Sequence, residues 1–386
     1  MGLTGRATAA GTARYAARFV GSATGGAVIQ AAGTRPVLAA DHFRSALGLK
    51  LSSIGAGTYL GNLSDAVDRR YRAALAEAVR DGCNVLDTAV SYRAQRSEIA
   101  LGQAVADLVA AGEVGRDELV IASKGGFIAH RLTRPTDKVS YVYDNFIAAG
   151  VAEPDDLAGG IHCMAPDYLS QQITWSLRNL GLHTLDIYYI HKPETQLAFV
   201  DRGTFRHRLQ LAFARLEEEV AAGRIGCYGI STWEGLRQPP MSVDYLSLEI
   251  ILRLAAEVAG PNHHLQVVQF PLSAAAVESA TFRNQPLKGS LLPALAAAVD
   301  LGLMVVTSAS IMQAKAPARV AAALKEAFSA LASDIQRALQ FTRSMPGVTT
   351  ALVGMGHLDH VRENLALAAL PCEPARAEAL ARNLAR

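Results

Sequence analysis

Asp87 closes an apolar run in "NVLDTAVSYRAQRSEIALG" (84–102), and Tyr92 follows five residues later. Lys124 closes a second such run in "VIASK", and His191 a third in "LDIYYIH". A carboxylate, a phenol, an amine and an imidazole are the parts needed to deliver a proton to a carbonyl oxygen. A phenol titrates near about pH 10, which makes it a weak acid at neutral pH unless it is tuned. A neighbouring ammonium favours the phenolate and lowers that value, while a paired carboxylate keeps the ammonium charged and oriented. A neutral imidazole can hold the carbonyl oxygen beside the phenol.

Residues so far apart in sequence meet only if the ends of their strands converge. Eight short apolar runs recur along the chain: 51–58, 83–89, 118–124, 185–191, 224–231, 265–271, 303–309 and 349–355. Several are continuous Val, Ile, Leu and Tyr without alternation, as expected of strands buried on both faces. Helically patterned stretches lie between them, two of which close on Gly181 and Gly223, a C-terminal stop signal. Eight strands alternating with helices predict an α/β fold, a (β/α)8 TIM barrel, in which all C-terminal strand ends face one mouth. Asp87, Lys124 and His191 end the second, third and fourth strands.

Two segments exceed what a barrel of about 250 residues requires. Residues 1–42 form an N-terminal extension, and 43–386 the barrel unit. Residues 125–166 form a long insertion after the third strand, on the mouth side, where it would shape substrate access. Its Phe127, Tyr141, Tyr143 and Phe146 offer either an aromatic wall for a substrate or packing for the insertion itself. A further long helical stretch covers about 317–343. The extension has arginines but no acidic residue before Asp41; that composition is shared with transit peptides, and a flexible or surface-packed extension is the favoured expectation.

Composition narrows the function class. The chain has 386 residues, half of them hydrophobic, with 37 basic against 35 acidic side chains and a net charge of +2. No basic stripe points to nucleic acid, and no apolar run reaches the roughly 18 residues of a membrane span. The four cysteines, 83, 163, 227 and 372, form no CxxC pair, which suggests a reduced, cytoplasmic protein. His162 and Cys163 are adjacent but lack further ligands in sequence, so no metal is expected. Oligomeric state is not legible.

The ordered set of motifs resembles the aldo-keto reductase family from about residue 43 to 370. "IGAGTYLG" is similar to the family's opening strand and turn. "DTAVSYRAQRSEIALG" carries its Asp-Thr-Ala, Tyr, Ser-Glu and Leu-Gly pattern. "VIASK", "LDIYYIHKPE", "GRIGCYGIS", "VVQFPLS" and "VTTALVGMGHLDHVRENL" follow in order. The resemblance implies Tyr92 as general acid, Lys124 and Asp87 as its tuning pair, and His191 as the residue orienting a carbonyl. It also implies a nicotinamide cofactor, NADPH with NADH possible. Gly57, Thr58 and Asp87 would lie near the nicotinamide and its ribose, with Ser231 and Gln269 at its carboxamide. Ser308 stands where many relatives stack an aromatic. Gly354, Glu363 and Asn364 would hold the adenosine end. No fixed cation other than Arg362 is near that loop, so the grip on a 2′-phosphate looks weak. Trp233, after Ser231, is a candidate substrate contact with Phe127. The function implied is NAD(P)H-dependent reduction of an aldehyde or ketone. The same acid–base cluster would also suit a non-redox lyase, dehydratase or isomerase acting on a carbonyl, and the barrel alone a non-enzymatic binding module.

Overall fold

A computed structural model gives the fold and describes residues 2–20, 36–312 and 317–385. A hairpin of β1 (Phe43–Ala46) and β2 (Leu49–Ser52) precedes the barrel. The barrel strands are β3 (Ile54–Gly57), β4 (Val85–Asp87), β5 (Val120–Gly125), β6 (Leu185–His191), β7 (Ile225–Ser231) and β8 (Leu265–Pro271). A hairpin of β9 (Arg283–Leu287) and β10 (Ser290–Pro293) follows, and then β11 (Met304–Ser308) and β12 (Thr350–Gly354) complete the barrel. All eight barrel pairings are parallel, and β12 closes on β3.

Each predicted run therefore contains a barrel strand. The first is divided, however: Leu51 and Ser52 belong to the hairpin, and only 54–57 enter the barrel. The expected helix over 317–343 is also two helices, Ala318–Ala327 and Asp334–Ser344. Phe328 is buried between them and Ser333 caps the second, its Oγ accepting Gln336 N–H at 3.1 Å.

The barrel interior explains how the sequence builds a site. Side chains on a strand alternate between faces, so every second residue points inward. Val85, Val120, Ala122, Ile187, Tyr189, Cys227, Val267, Met304 and Val306 form one interior cluster. Continuing the series by two residues reaches Asp87, Lys124, His191, Gln269 and Ser308, and on β7 by four, past Gly229, reaches Ser231. The inward positions are apolar at depth and polar at the last step, so a packed core and a polar mouth share one face of each strand. Register aligns them: His191 pairs with Ser231, and Ser231 with Gln269.

The extension is part of the fold as far as it is described. Leu3 bridges Leu182, and Ala7 N–H donates to Asp186 Oδ1 at 2.6 Å. Thr8 caps a helix over Ala9–Ala17, which ties down through Arg14 to Asp117 (2.9 Å) and Glu118 (2.7 Å). Tyr15 and Phe19 are buried against Phe43. Residues 21–35 of the predicted extension lie outside the described residues. A cavity of about 770 Å³ sits at this end, between Gly5–Ala9, Leu47–Leu49 and the starts of β6 to β8. It contains none of the four candidate catalytic residues.

The insertion carries its own small core. Asp137 caps a short helix over Lys138–Val142, and Phe146, Ala152, Cys163 and Tyr168 cluster with Tyr141 and Trp175. Tyr141 and Phe146 thus pack the insertion, while Tyr143 is exposed.

Candidate active site

Lys124 is fully buried. Burial pushes its ammonium below the usual lysine range, opposed by Asp87. Its Nζ forms an ion pair with Asp87 Oδ1 and donates to Thr88 O at 2.8 Å. The other Asp87 oxygen accepts Gln269 Nε2–H at 2.9 Å, and Ser231 Oγ–H donates to Gln269 Oε1 at 2.8 Å. One connected network therefore runs from β5 through β4 and β8 to β7. Two of its members, Ser231 and Gln269, were expected at the cofactor's carboxamide; Gln269 also steadies the Asp87 carboxylate.

Tyr92 lies over this network, with Lys124 Nζ 5.1 Å from its ring centroid. His191 faces it edge-on at 5.7 Å, and Tyr59 does so at 5.0 Å. The four expected catalytic residues do meet. Their electrostatics depart from the expectation in one respect. Burial, with Asp87 and Tyr59 adding to it, holds the Tyr92 phenol well above 10 rather than below. The Lys124 ammonium sits over the ring and is spent on Asp87 and Thr88. A raised phenol stays protonated at neutral pH, which is the form an acid must take. Burial, reinforced by Lys124, His162 and Lys192, pushes His191 well below its usual range. It is a neutral imidazole.

The turn that presents Tyr92 is strained. Arg93, Ala94 and Gln95 have φ of 49°, 52° and 72°, left-handed values that non-glycine residues adopt at a cost. Arg93 holds it: buried against the Tyr71 ring at 5.3 Å, its guanidinium donates to Asn62 O at 2.8 Å and pairs with Asp68.

At the expected cofactor positions, Thr58 is buried, with Oγ1–H donating to Asp87 O at 3.2 Å. Gly57 pairs with Asp87 across β3 and β4, and Ser308 ends β11 at the mouth. Gly354 ends β12, exposed, and a Cβ there would meet nothing within 4 Å. On the following helix, Glu363 accepts Ser333 Oγ–H at 2.5 Å, and Asn364 is buried with its Oδ1 lacking a hydrogen-bond partner. An open backbone turn and an orphaned buried acceptor fit a nucleotide's adenosine end. Its cations fit a 2′-phosphate less well. Arg362 is exposed and lies 3.6 Å from Asp359, and the His357 and His360 rings lie 5.2 Å apart.

Around the mouth, Phe127 stands edge-on to His191 and His162, each at 5.1 Å. Trp233 is part-exposed with Lys192 Nζ 5.8 Å from its ring. Residues that the sequence did not single out also shape the mouth. Buried Glu194 takes hydrogen bonds on one oxygen from Thr232 Oγ1 (2.8 Å), Trp233 N (2.6 Å) and Glu234 N (3.1 Å), fixing the loop that carries Trp233. Its position in "HKPE" was the available signal. His162, expected to be at most an improbable metal ligand, hydrogen-bonds the His191 carbonyl. No cluster of three or more metal-ligating side chains occurs among the described residues.

Residues 53–239 match the aldo/keto reductase family. The motifs that resembled it and the barrel agree with that match. Over 160 residues the chain is 28% identical to the NADH-specific methylglyoxal reductase of Escherichia coli K12, covering 40% of each protein. It superposes on an aldo/keto reductase from Klebsiella pneumoniae in complex with NADP and acetate with TM-score 0.59. Identity there is 20%, with coverage of 87% of this chain and 93% of that one. The holo form of a Bacillus halodurans aldo-keto reductase gives TM-score 0.58 at 18% identity, with coverage of 89% and 95%. At those identities the superpositions establish the fold. No helix among the described residues is long and apolar enough to cross a membrane.

Proposed function

We propose that this protein is an NAD(P)H-dependent reductase of a small aldehyde or ketone. The observation that carries the reading is the mouth cluster. A buried Lys124–Asp87 pair lies under the Tyr92 phenol, with neutral His191 beside it. Both the family match and the methylglyoxal reductase relative support it. Reduced nicotinamide would supply the hydride to the carbonyl carbon, and each turnover takes up one proton.

The chain's own residues account for that proton. Protonated Tyr92 gives its proton to the carbonyl oxygen, becoming a phenolate. The Lys124 ammonium, 5.1 Å from the ring centroid, is the cation nearest the phenolate as charge develops. Asp87 and Thr88 O hold that ammonium in place, so little reorganisation is needed when charge develops. Neutral His191 orients the carbonyl oxygen by a hydrogen bond. Phe127 and Trp233 wall the mouth and restrict water. Ser231, Gln269, Thr58 and Gly57 would line the nicotinamide end, with Gly354, Glu363 and Asn364 at the adenosine end.

Titrating NADPH and NADH separately against tryptophan fluorescence tests the cofactor, and nicotinamide absorbance with methylglyoxal tests turnover. Saturable binding of at least one nucleotide and its oxidation by the carbonyl are expected. No binding of either nucleotide would overturn the reading. Product without nucleotide oxidation would replace it with non-redox carbonyl chemistry.

A further inference from the structure

The peptide joining His191 to Lys192 is held from both sides. Its carbonyl accepts Nε2–H of His162 at 2.7 Å, and its N–H donates to Ser231 O at 2.6 Å. The next backbone angles are unfavourable: Lys192 has φ 51° and ψ 58°, left-handed for a residue with a Cβ. Such a turn persists where surrounding contacts over-determine it, and the two hydrogen bonds do so.

His162 is itself fixed. A carbonyl only accepts, so Nε2 carries the proton and Nδ1 accepts, here from Gln196 Nε2–H at 3.0 Å. Gln196 Oε1 accepts from Arg208, on the helix Arg202–Ala221. A chain of hydrogen bonds therefore runs from an outer helix, through the insertion, to the catalytic strand end. The Phe127 ring, edge-on to both imidazoles, fills the space between them. Gly126 makes the approach possible, since a Cβ there would lie 2.7 Å from His162 Nε2 and 3.2 Å from His191 O.

We infer that His162, supplied by the insertion after β5, is a positioning residue for His191: its Nε2–H fixes the His191–Lys192 peptide and thereby the direction of the His191 imidazole. The kinetic consequence rests on the reductase reading; the structural coupling does not. His162→Phe keeps an aromatic ring and removes the donor, whereas His162→Gln returns an N–H near the Nε2 position. Gln196→Leu removes the hydrogen bond that sets the His162 tautomer while leaving the ring in the chain, and serves if His162→Phe does not fold.

The test follows the His191 imidazole resonances and the Lys192 amide exchange rate in nucleotide-free protein, then steady-state kinetics. In folded His162→Phe the His191 signals shift and the Lys192 amide exchanges about tenfold faster or more. The kcat falls roughly 10- to 100-fold, the range for loss of a group that orients a functional residue, while KM for nucleotide changes little. His162→Gln recovers most of both. Unchanged His191 signals and Lys192 exchange in the folded variant would overturn the inference, as would His162→Gln as impaired as His162→Phe. Wild-type protein that oxidises no nucleotide would sink the reductase reading while the resonance and exchange measurements still decide this one.

Discussion

At the proposed nicotinamide end of the mouth, both Asp87 oxygens, the Lys124 ammonium and both ends of the Gln269 amide have partners inside the protein. At the proposed adenosine end, a Cβ on Gly354 would meet nothing within 4 Å, Asn364 Oδ1 has no partner, and Arg362 is exposed beside Asp359. The first region is assembled from the protein's own groups, and the second leaves groups free for a ligand. Pre-assembly is what proton transfer requires, because dipoles already in place cost no reorganisation as charge develops. An open end that draws its partners from the ligand can change preference with few substitutions. The departures from the family pattern fall at this end and at Ser308, so under the proposed reading they would bear on which nucleotide binds more than on whether a proton moves.

The comparison breaks if the packed end is dispensable. Tyr92→Phe removes one hydroxyl and keeps the ring, so nucleotide affinity should be retained while kcat falls about 10²- to 10⁴-fold, the usual contribution of a positioned acid. Single-turnover kinetics with methylglyoxal beside a fluorescence titration separates the two. Retained turnover in the variant would mean that the phenol is not the acid.

Lys124→Met should cost stability as well as rate. It leaves the Asp87 carboxylate buried with only Gln269 as partner, and breaking such a pair costs about 3–5 kcal/mol. Adding Asp87→Asn to Lys124→Met removes the stranded charge, so the double variant should unfold at higher denaturant concentration than Lys124→Met alone. Equal midpoints would mean that the pair is not coupled in the folded state.

The contrast between the two regions also accounts for what could be read from the sequence. Strands β4 to β8, β11 and β12 were legible because burial on both faces demands continuous apolar runs. Asp87, Lys124 and His191 were legible because a polar residue ending such a run breaks the pattern. The division of 51–58 was not, since Ser52 and Ser53 satisfy a turn and a strand equally well in one dimension. The direction of the Tyr92 shift was missed for a spatial reason: sequence places an ammonium near the phenol but not over its face, already paired. His162 was missed because its partner is a backbone carbonyl, which every residue has. Its meaning lay in Gly126, whose lack of a side chain admits the ring.

Acid should weaken the packed regions first. Burial lowers His42 to about 3 and His162 to about 4, against about 6.5 in an unfolded chain. Between those values the unfolded state binds more protons, so stability falls as pH drops below about 6.5, by up to about 1.4 kcal/mol per pH unit per histidine. The loss levels off below about 3 to 4 for these two groups. Denaturant midpoints measured from pH 7.5 to 4.5 should decline, and His42→Gln should flatten the decline because it removes one of the buried histidines, His191 among them, that are held below their usual range. An unaltered slope in that variant would assign the loss to other groups.

The smallest effect is expected at the open end, and there it should change preference without touching rate. His357 immediately precedes the helix Leu358–Leu365 after the β12 turn, and its side chain makes no capping hydrogen bond, so a phosphate there would meet free backbone N–H groups. His357→Arg adds a fixed guanidinium at that position, able to bind phosphate through two parallel hydrogen bonds. One charge-assisted contact on an exposed surface contributes about 1–1.5 kcal/mol, so NADPH affinity should rise roughly tenfold relative to NADH. The kcat with saturating NADH should stay within about twofold, because His357 and the Lys124–Asp87 network share no hydrogen bond. A parallel change in kcat would show that the two ends are coupled after all. An unchanged affinity ratio would place the 2′-phosphate away from the β12 turn.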